Sequence, residues 1–241
     1  MEDRYIREIV IDWSAVPEDA YPRKISALRG LERLRLNRNV TLLCGENGTG
    51  KSTLLEAVAV AAGFNAEGGT RNYRFSTYDD VSPLSGAVSL VRGFRRPRNG
   101  YFFRAESFFN VATVTMTEYN DGSLPDYHAC SHGESFLEFM LRSTPQGLYL
   151  MDEPEAALSP QRQLTLLLHI HCMALEGSQF IIATHSPILL GLPGARILNF
   201  SEDGIQPVSY EDTESYQITK LFLERREQLL KELFRSTGED G

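Results

Sequence analysis

Residues 40–62 read VTLLCGENGTGKSTLLEAVAVAA, and this stretch decides the architecture. The opening VTLLC is a short apolar run with β-branched members, the pattern of a buried strand. The closing STLLEAVAVAA contains no Gly or Pro and is rich in helix formers. Between them, GENGTGKS at 45–52 sets glycines at 45, 48 and 50 and a Lys-Ser pair at the helix entrance. A glycine-rich turn from strand into helix lets successive backbone N–H groups converge on an anion, with the positive end of the helix dipole behind them. A lysine and a hydroxyl at these positions add a mobile charge for phosphate and a ligand for a divalent ion. Asn47, Gly48, Thr49, Gly50, Lys51, Ser52 and Thr53 are therefore the expected contacts to a nucleotide's phosphates, with Ser52 the expected metal ligand.

Two further strands point to the same place. Residues 147–153 read GLYLMDE, an apolar run ending in two acids. At that strand end Asp152 is placed to hold Mg²⁺ beside Ser52. Glu153, one residue on, points elsewhere and is placed to polarise a water for attack on a γ-phosphate. Residues 179–187 read QFIIATHSP, a second buried strand ending at His185. A helical crossover separates the two strands, and right-handed crossovers return the chain to the same sheet edge. His185 is thereby predicted beside the phosphate loop, where it can contact the γ-phosphate. Lys51, Glu153 and His185 are the expected catalytic set.

Working outward, residues 8–13 and 101–103 read as strands, as does 111–119. Residues 197–200 and 205–209 bracket Glu202-Asp203-Gly204 as a hairpin. Residues 135–142, 161–176 and 214–234 read as helices. Buried apolar strands alternating with helices predict an α/β fold, a mostly parallel sheet flanked by helices. One domain over residues 1–241 accommodates this, with a variable lobe at about 63–142 and a C-terminal helix at about 214–235.

Asn47 within GENGTGKST, Asp152-Glu153-Pro154 and Thr184-His185-Ser186 together resemble ABC-type ATPases over roughly residues 40–200. DEPEAALSP at 152–160 is similar to the soluble SMC/RecF-like and OLD-type members rather than to transporter subunits. The resemblance implies an antiparallel β region beside the main sheet, ATP and Mg²⁺ as ligands, and ATP hydrolysis. It also implies a homodimer that sandwiches two ATP molecules as a nucleotide-dependent switch, in DNA maintenance or phage defence. The alternative is an ATP-binding subunit of an ABC transporter. The family's signature has a counterpart in Ser131-His132-Gly133-Glu134-Ser135, which ends 18 residues before Glu153. Carried over, Ser131, Gly133 and Glu134 bind the γ-phosphate held by the other copy. His132 departs from the family's glycine, and Ser131 or Ser135 also suits an ordinary helix N-cap. No glutamine occurs between Thr53 and Gln146, so the family's Q-loop residue is missing. Glu106 is the candidate for its metal-side contact, unless it merely pairs with Arg104. Tyr21 and Arg23 lie where the family often packs on the base.

Composition narrows the remaining classes. The chain carries 24 basic against 32 acidic residues, a net charge of −8, so nucleic acid would need a local basic patch. Arg71, Arg74, Arg92, Arg95, Arg96, Arg98 and Arg104 fall in the variable lobe, where from 67 to 104 the only acids are Glu67, Asp79 and Asp80. That lobe is the candidate surface for a nucleic acid or an effector protein, against the plainer reading of a solvated loop set. Cys44, Cys130 and Cys172 are scattered without metal-ligand spacing, as in buried thiols of a reducing compartment. The charged N-terminus and the lack of an 18-residue apolar stretch predict a cytoplasmic protein without membrane insertion.

Overall fold

The computed structural model describes residues 4–70, 81–105 and 132–236, with side chains in the last span at residues 136–235. Among these residues a seven-stranded sheet runs β10-β9-β3-β8-β7-β6-β4. Its strands are β3 (Val40–Gly45), β4 (Gly69–Thr70), β6 (Asn99–Arg104), β7 (Gly147–Asp152), β8 (Gln179–Ala183), β9 (Arg196–Ser201) and β10 (Gly204–Val208). The five central strands, β9-β3-β8-β7-β6, are parallel. Antiparallel β10 and β4 close the two edges. Pro207 sits on β10, and an edge strand tolerates the missing N–H.

The apolar runs are continuous because both faces of the parallel sheet are covered. Neighbouring residues alternate between two cores, as period-2 geometry requires. Leu43, Phe102, Leu150 and Ile181 join α1 (Lys51–Ala62) and the N-terminal residues on one face. Leu42, Phe103, Met151 and Ile182 join Phe136 and Met140 of α2 (His132–Leu141) and Leu166 and Ile170 of α3 (Pro160–Leu175) on the other. Phe103 and Phe136 stack with centroids 3.8 Å apart.

A second sheet, β2-β1-β5, is antiparallel: β1 (Ile6–Ile11), β2 (Arg33–Arg35) and β5 (Val88–Arg92). The strand expected at 8–13 begins earlier and stops at Ile11. The Asp12 carboxylate accepts from the Ser14 N–H at 3.0 Å and turns residues 13–15 into a 3₁₀ turn. β5 falls within the segment read as variable, yet it pairs with β1 from Ile6 to Ile11. Gln179 joins the two sheets. Its buried amide donates to the Ile6 carbonyl at 2.8 Å and accepts from the Ile6 N–H at 2.9 Å. The strand expected at 111–119 lies outside the described residues.

The short α4 (Pro187–Leu190) follows His185, and α5 (Glu214–Ser236) ends the described chain. α5 is kinked at Arg225. No helix among the described residues is long and apolar enough to cross a membrane.

Candidate functional site

All five parallel strands end at one pole, and the residues predicted for chemistry gather there. β3 runs into the glycine loop and α1 starts at Lys51. Gly50 takes φ +93°, and a Cβ there would lie 2.7 Å from Ile25 Cγ2, so the loop can coil only without a side chain. Thr49 Oγ1 donates to the Glu46 carbonyl at 2.8 Å and fixes the turn. Lys51, 4% exposed, folds its ammonium onto the loop, donating to the Gly45 and Glu46 carbonyls at 2.7 Å each. Burial lowers its pKa from 10.5, opposed by the charges of Glu153 and Asp152. A phosphate in the loop would give this ammonium a full negative charge in place of two carbonyl dipoles.

Ser52 and Asp152 are 100 residues apart in sequence, and the Ser52 hydroxyl donates to Asp152 Oδ1 at 2.9 Å. A hydroxyl and a carboxylate are hard oxygen donors of the kind Mg²⁺ takes. Among the described residues no cluster of three or more His, Cys, Asp or Glu side chains can hold a metal. A divalent ion at Ser52 and Asp152 would therefore complete its shell with phosphate oxygens and water, as Mg²⁺ commonly does.

Glu153 leaves β7 in the left-handed region, φ 49° and ψ 54°, a conformation non-glycine residues rarely adopt. Such strain costs about 1–3 kcal/mol and persists only where surrounding structure enforces it. Here the Glu153 N–H donates to the Ala183 carbonyl at 2.9 Å, and Pro154 opens a 3₁₀ turn over Pro154–Ala157. The Glu153 carboxylate thereby meets His185, Oε1 to Nε2 at 3.7 Å. His185 Nε2 is buried and lacks a hydrogen-bond partner, so one donor or acceptor position remains open beside Glu153.

Two residues here were not anticipated. Glu155 Oε1 accepts from the His185 N–H at 2.6 Å, joining the turn after Glu153 to the loop that carries the histidine. Beyond it, Ser186 caps α4 and donates to Gln163 Oε1 at 2.6 Å, so the histidine is held from both sides. Arg104 does not stay on its own loop. It ends β6 in register with Asp152, donates to Glu56 Oε2 at 2.8 Å, and lies 3.9 Å from Asp152 Oδ2. The parallel register was the signal for Arg104, but the pairing of β6 with β7 had to be known first. Acids following an Asp-Glu pair were visible for Glu155, but not its partner.

A cleft of about 570 Å³ opens beside this group. It is lined by Glu46, Asn47, Glu153 and His185, by Thr213 just before α5, and by Glu214 and Ile218 within that helix. The C-terminal helix thus reaches the site, while much of its length stays exposed.

The other expectations divide. Ser131 and Glu106 lie outside the described residues. Gly133 and Glu134 fall in the first turn of α2, and their side chains lie outside the description. Arg23 is not free for a base: it donates to the carbonyls of Trp13 and Pro17 and, at 2.9 Å, of Val16. Tyr21 stays 48% exposed.

Residues 23–92 match a family model described as "AAA domain". Residues 136–191 match one described as "AAA domain, putative AbiEii toxin, Type IV TA system". No curated protein matches the chain. Among solved structures, the chain is similar to part of an ABC transporter complex from Clostridium perfringens. The identity is 15%, covering 95% of this chain and 99% of that one, at a TM-score of 0.47. It is also similar to the ADP conformation of an ATP-binding cassette of an ABC transporter. There the identity is 16%, covering 84% and 89%, at a TM-score of 0.46. One of the two matched segments holds the phosphate loop, and the other holds Asp152, Glu153 and His185.

Proposed function

We propose that the protein binds ATP with Mg²⁺ and hydrolyses it between two copies of itself, so that nucleotide state sets dimer state. The observation that carries this reading is the Ser52–Asp152 hydrogen bond at 2.9 Å, with Glu153 held in a left-handed conformation beside His185. In this reading the glycine loop and Lys51 hold the phosphates, and Ser52 and Asp152 hold the metal. Mg²⁺ when bound offsets charge on the phosphate oxygens. Glu153 accepts the proton of the attacking water, and His185 orients that water against the γ-phosphate. Ser131, Gly133 and Glu134 of one copy complete the phosphate site of the other. ATP then favours the closed pair, and hydrolysis releases it, so a partner that reads only one state is switched.

Glu153→Gln tests the assignment. It keeps the shape and removes the base, and a positioned base contributes about 10²- to 10⁴-fold. Phosphate release should fall by that factor, while light scattering after gel filtration should show a dimer with ATP. The same dimer should be missing when Lys51→Ala is tested. Hydrolysis at the unchanged rate in the Gln variant would sink the catalytic assignment. A monomer at every nucleotide state would sink the two-copy site.

A further inference from the structure

Two carboxylates from different elements converge on Arg104. Period-2 alternation along β6 and β7 puts Arg104 and Asp152 on the α1 face of the main sheet, the face that Phe102 and Leu150 also take. The two are register partners on neighbouring strands, and Arg104 Nε lies 3.9 Å from Asp152 Oδ2. From the helix side, Glu56 stands one turn after Ser52 on α1, so one face of that helix supplies both the Ser52 hydroxyl and a second acid. Arg104 Nη1 donates to Glu56 Oε2 at 2.8 Å and to the Ala66 carbonyl at 3.1 Å. Glu56 is itself held, because its Oε1 accepts from the Ser82 N–H at 3.0 Å. The side chains of Arg104, Asp152 and Glu56 are 23%, 10% and 12% exposed, so all three charges sit largely out of water.

The two oxygens of Asp152 thus have different duties. Oδ1 accepts from the Ser52 hydroxyl at 2.9 Å, and Oδ2 faces a guanidinium. Balancing the charge of Glu56 would need only a cation beside α1. The cation present reaches past Glu56 to the outer oxygen of the carboxylate that Ser52 touches. A guanidinium is planar and always charged, and this one has its far side tied to two acceptors. It is therefore poorly able to follow Asp152 if that carboxylate rotates.

We propose that Arg104 is a positioning residue that makes Asp152 a one-oxygen metal ligand and thereby selects Mg²⁺ over Ca²⁺ with the nucleotide. This rests on the reading above in which Ser52 and Asp152 hold the divalent ion. Mg²⁺ takes about six ligands in a near-octahedral shell and keeps several waters, so one carboxylate oxygen suffices. Ca²⁺ takes roughly six to eight oxygens, often both from one carboxylate. To offer both, Asp152 would have to draw Oδ2 away from Arg104. The arginine's charge repels either ion, and because the two ions carry equal charge that repulsion largely cancels in the ratio of their affinities. What remains in the ratio is the orientation of Asp152.

The test is binding of a fluorescent, non-hydrolysable ATP analogue to the full chain in saturating Mg²⁺, in saturating Ca²⁺ and in EDTA. Wild type should bind the Mg²⁺ complex at least about tenfold more tightly than the Ca²⁺ complex, the lower end of the effect of residues that orient metal ligands. The double variant Arg104→Met with Glu56→Gln removes one cation and one anion, so the net charge beside the site is kept. Its glutamine still offers Oε1 to the Ser82 N–H. There the gap between the two ions should fall to about twofold or less, because the neutral side chain no longer holds Oδ2. The melting temperature is the control for folding, and a loss of stability alone would weaken both complexes without moving their ratio. Glu56→Gln by itself keeps Arg104 and loosens its tie, and should narrow the gap about fivefold, the difference between a charged and a neutral acceptor. A gap unchanged in either folded variant overturns the proposal, as does a wild type that binds both complexes alike but more tightly than the metal-free analogue. Binding by wild type that is the same in EDTA as with either ion overturns the metal assignment as well. None of these outcomes depends on whether ATP is hydrolysed or on how many copies associate.

Discussion

Replacing Glu155 by alanine removes one acceptor and nothing of the phosphate loop itself. The bond lost is that from the His185 N–H to Glu155 Oε1 at 2.6 Å, a charge-assisted contact. Such bonds contribute about 1.5–3 kcal/mol, and the N–H left behind is part-buried with no substitute in view. If that stabilisation holds His185 in its working position, its loss raises the barrier by the same amount. At about 1.36 kcal/mol per decade, phosphate release at saturating ATP should fall roughly 10- to 150-fold. Binding of a fluorescent ATP analogue should stay within about threefold, because the loop amides and Lys51 remain. Glu155→Gln keeps an amide oxygen in the acceptor's place and should lose less than about tenfold, the spread between charged and neutral acceptors. Glu155 also adds a small upward influence on the Lys51 pKa, and a defect through Lys51 has to be separated from one through His185. The double variant with His185→Ala does this. If Glu155 acts through the histidine, adding Glu155→Ala to His185→Ala should change kcat by less than twofold. Additive losses, or a rise in the KM for ATP with kcat unchanged, would refute the reasoning.

Two other outcomes follow from the same geometry. Gly45→Ala should destabilise the fold by about 3 kcal/mol or more, read from urea denaturation, because its φ is +130° and a Cβ would stand 2.2 Å from the Phe200 carbonyl oxygen on β9. Burial raises the Cys44 thiol from 9.0 to about 11, so in a Cys130→Ser background at pH 8 only the exposed Cys172 should react with a thiol reagent until the protein unfolds. The sign for stability is fixed by the same shift: the unfolded chain gives up this proton first, so the Cys44 contribution is full below pH 9 and declines as pH rises from 9 through 11.

The phosphate loop was legible because its requirements are local. Glycines at 45, 48 and 50 and the Lys-Ser pair must follow a strand and open a helix, and residues 40–62 contain all three parts. The buried strands were legible for a related reason: a strand covered on both faces is apolar along its length, and 148–151 and 180–183 are. β2 was not read, because three residues alternating Arg-Leu-Arg carry almost no periodic signal. β5 was read as part of a variable lobe, because its pairing with β1 joins residues some eighty positions apart in sequence.

By itself the sequence determined that an α/β sheet presents a phosphate loop, two adjacent acids and a histidine at strand ends, because each depends on residues adjacent along the chain. Tertiary structure decided what those groups touch. It set Ser52 against Asp152, placed Arg104 beside the same carboxylate, and gave the His185 backbone to Glu155. Among the described arginines of the variable segment, it set Arg104 at the phosphate pole and Arg92 on the Ala61 carbonyl, and left Arg95, Arg96 and Arg98 exposed. These contacts depend on strand order and register, which are settled by packing among distant segments and have no local signature in the chain.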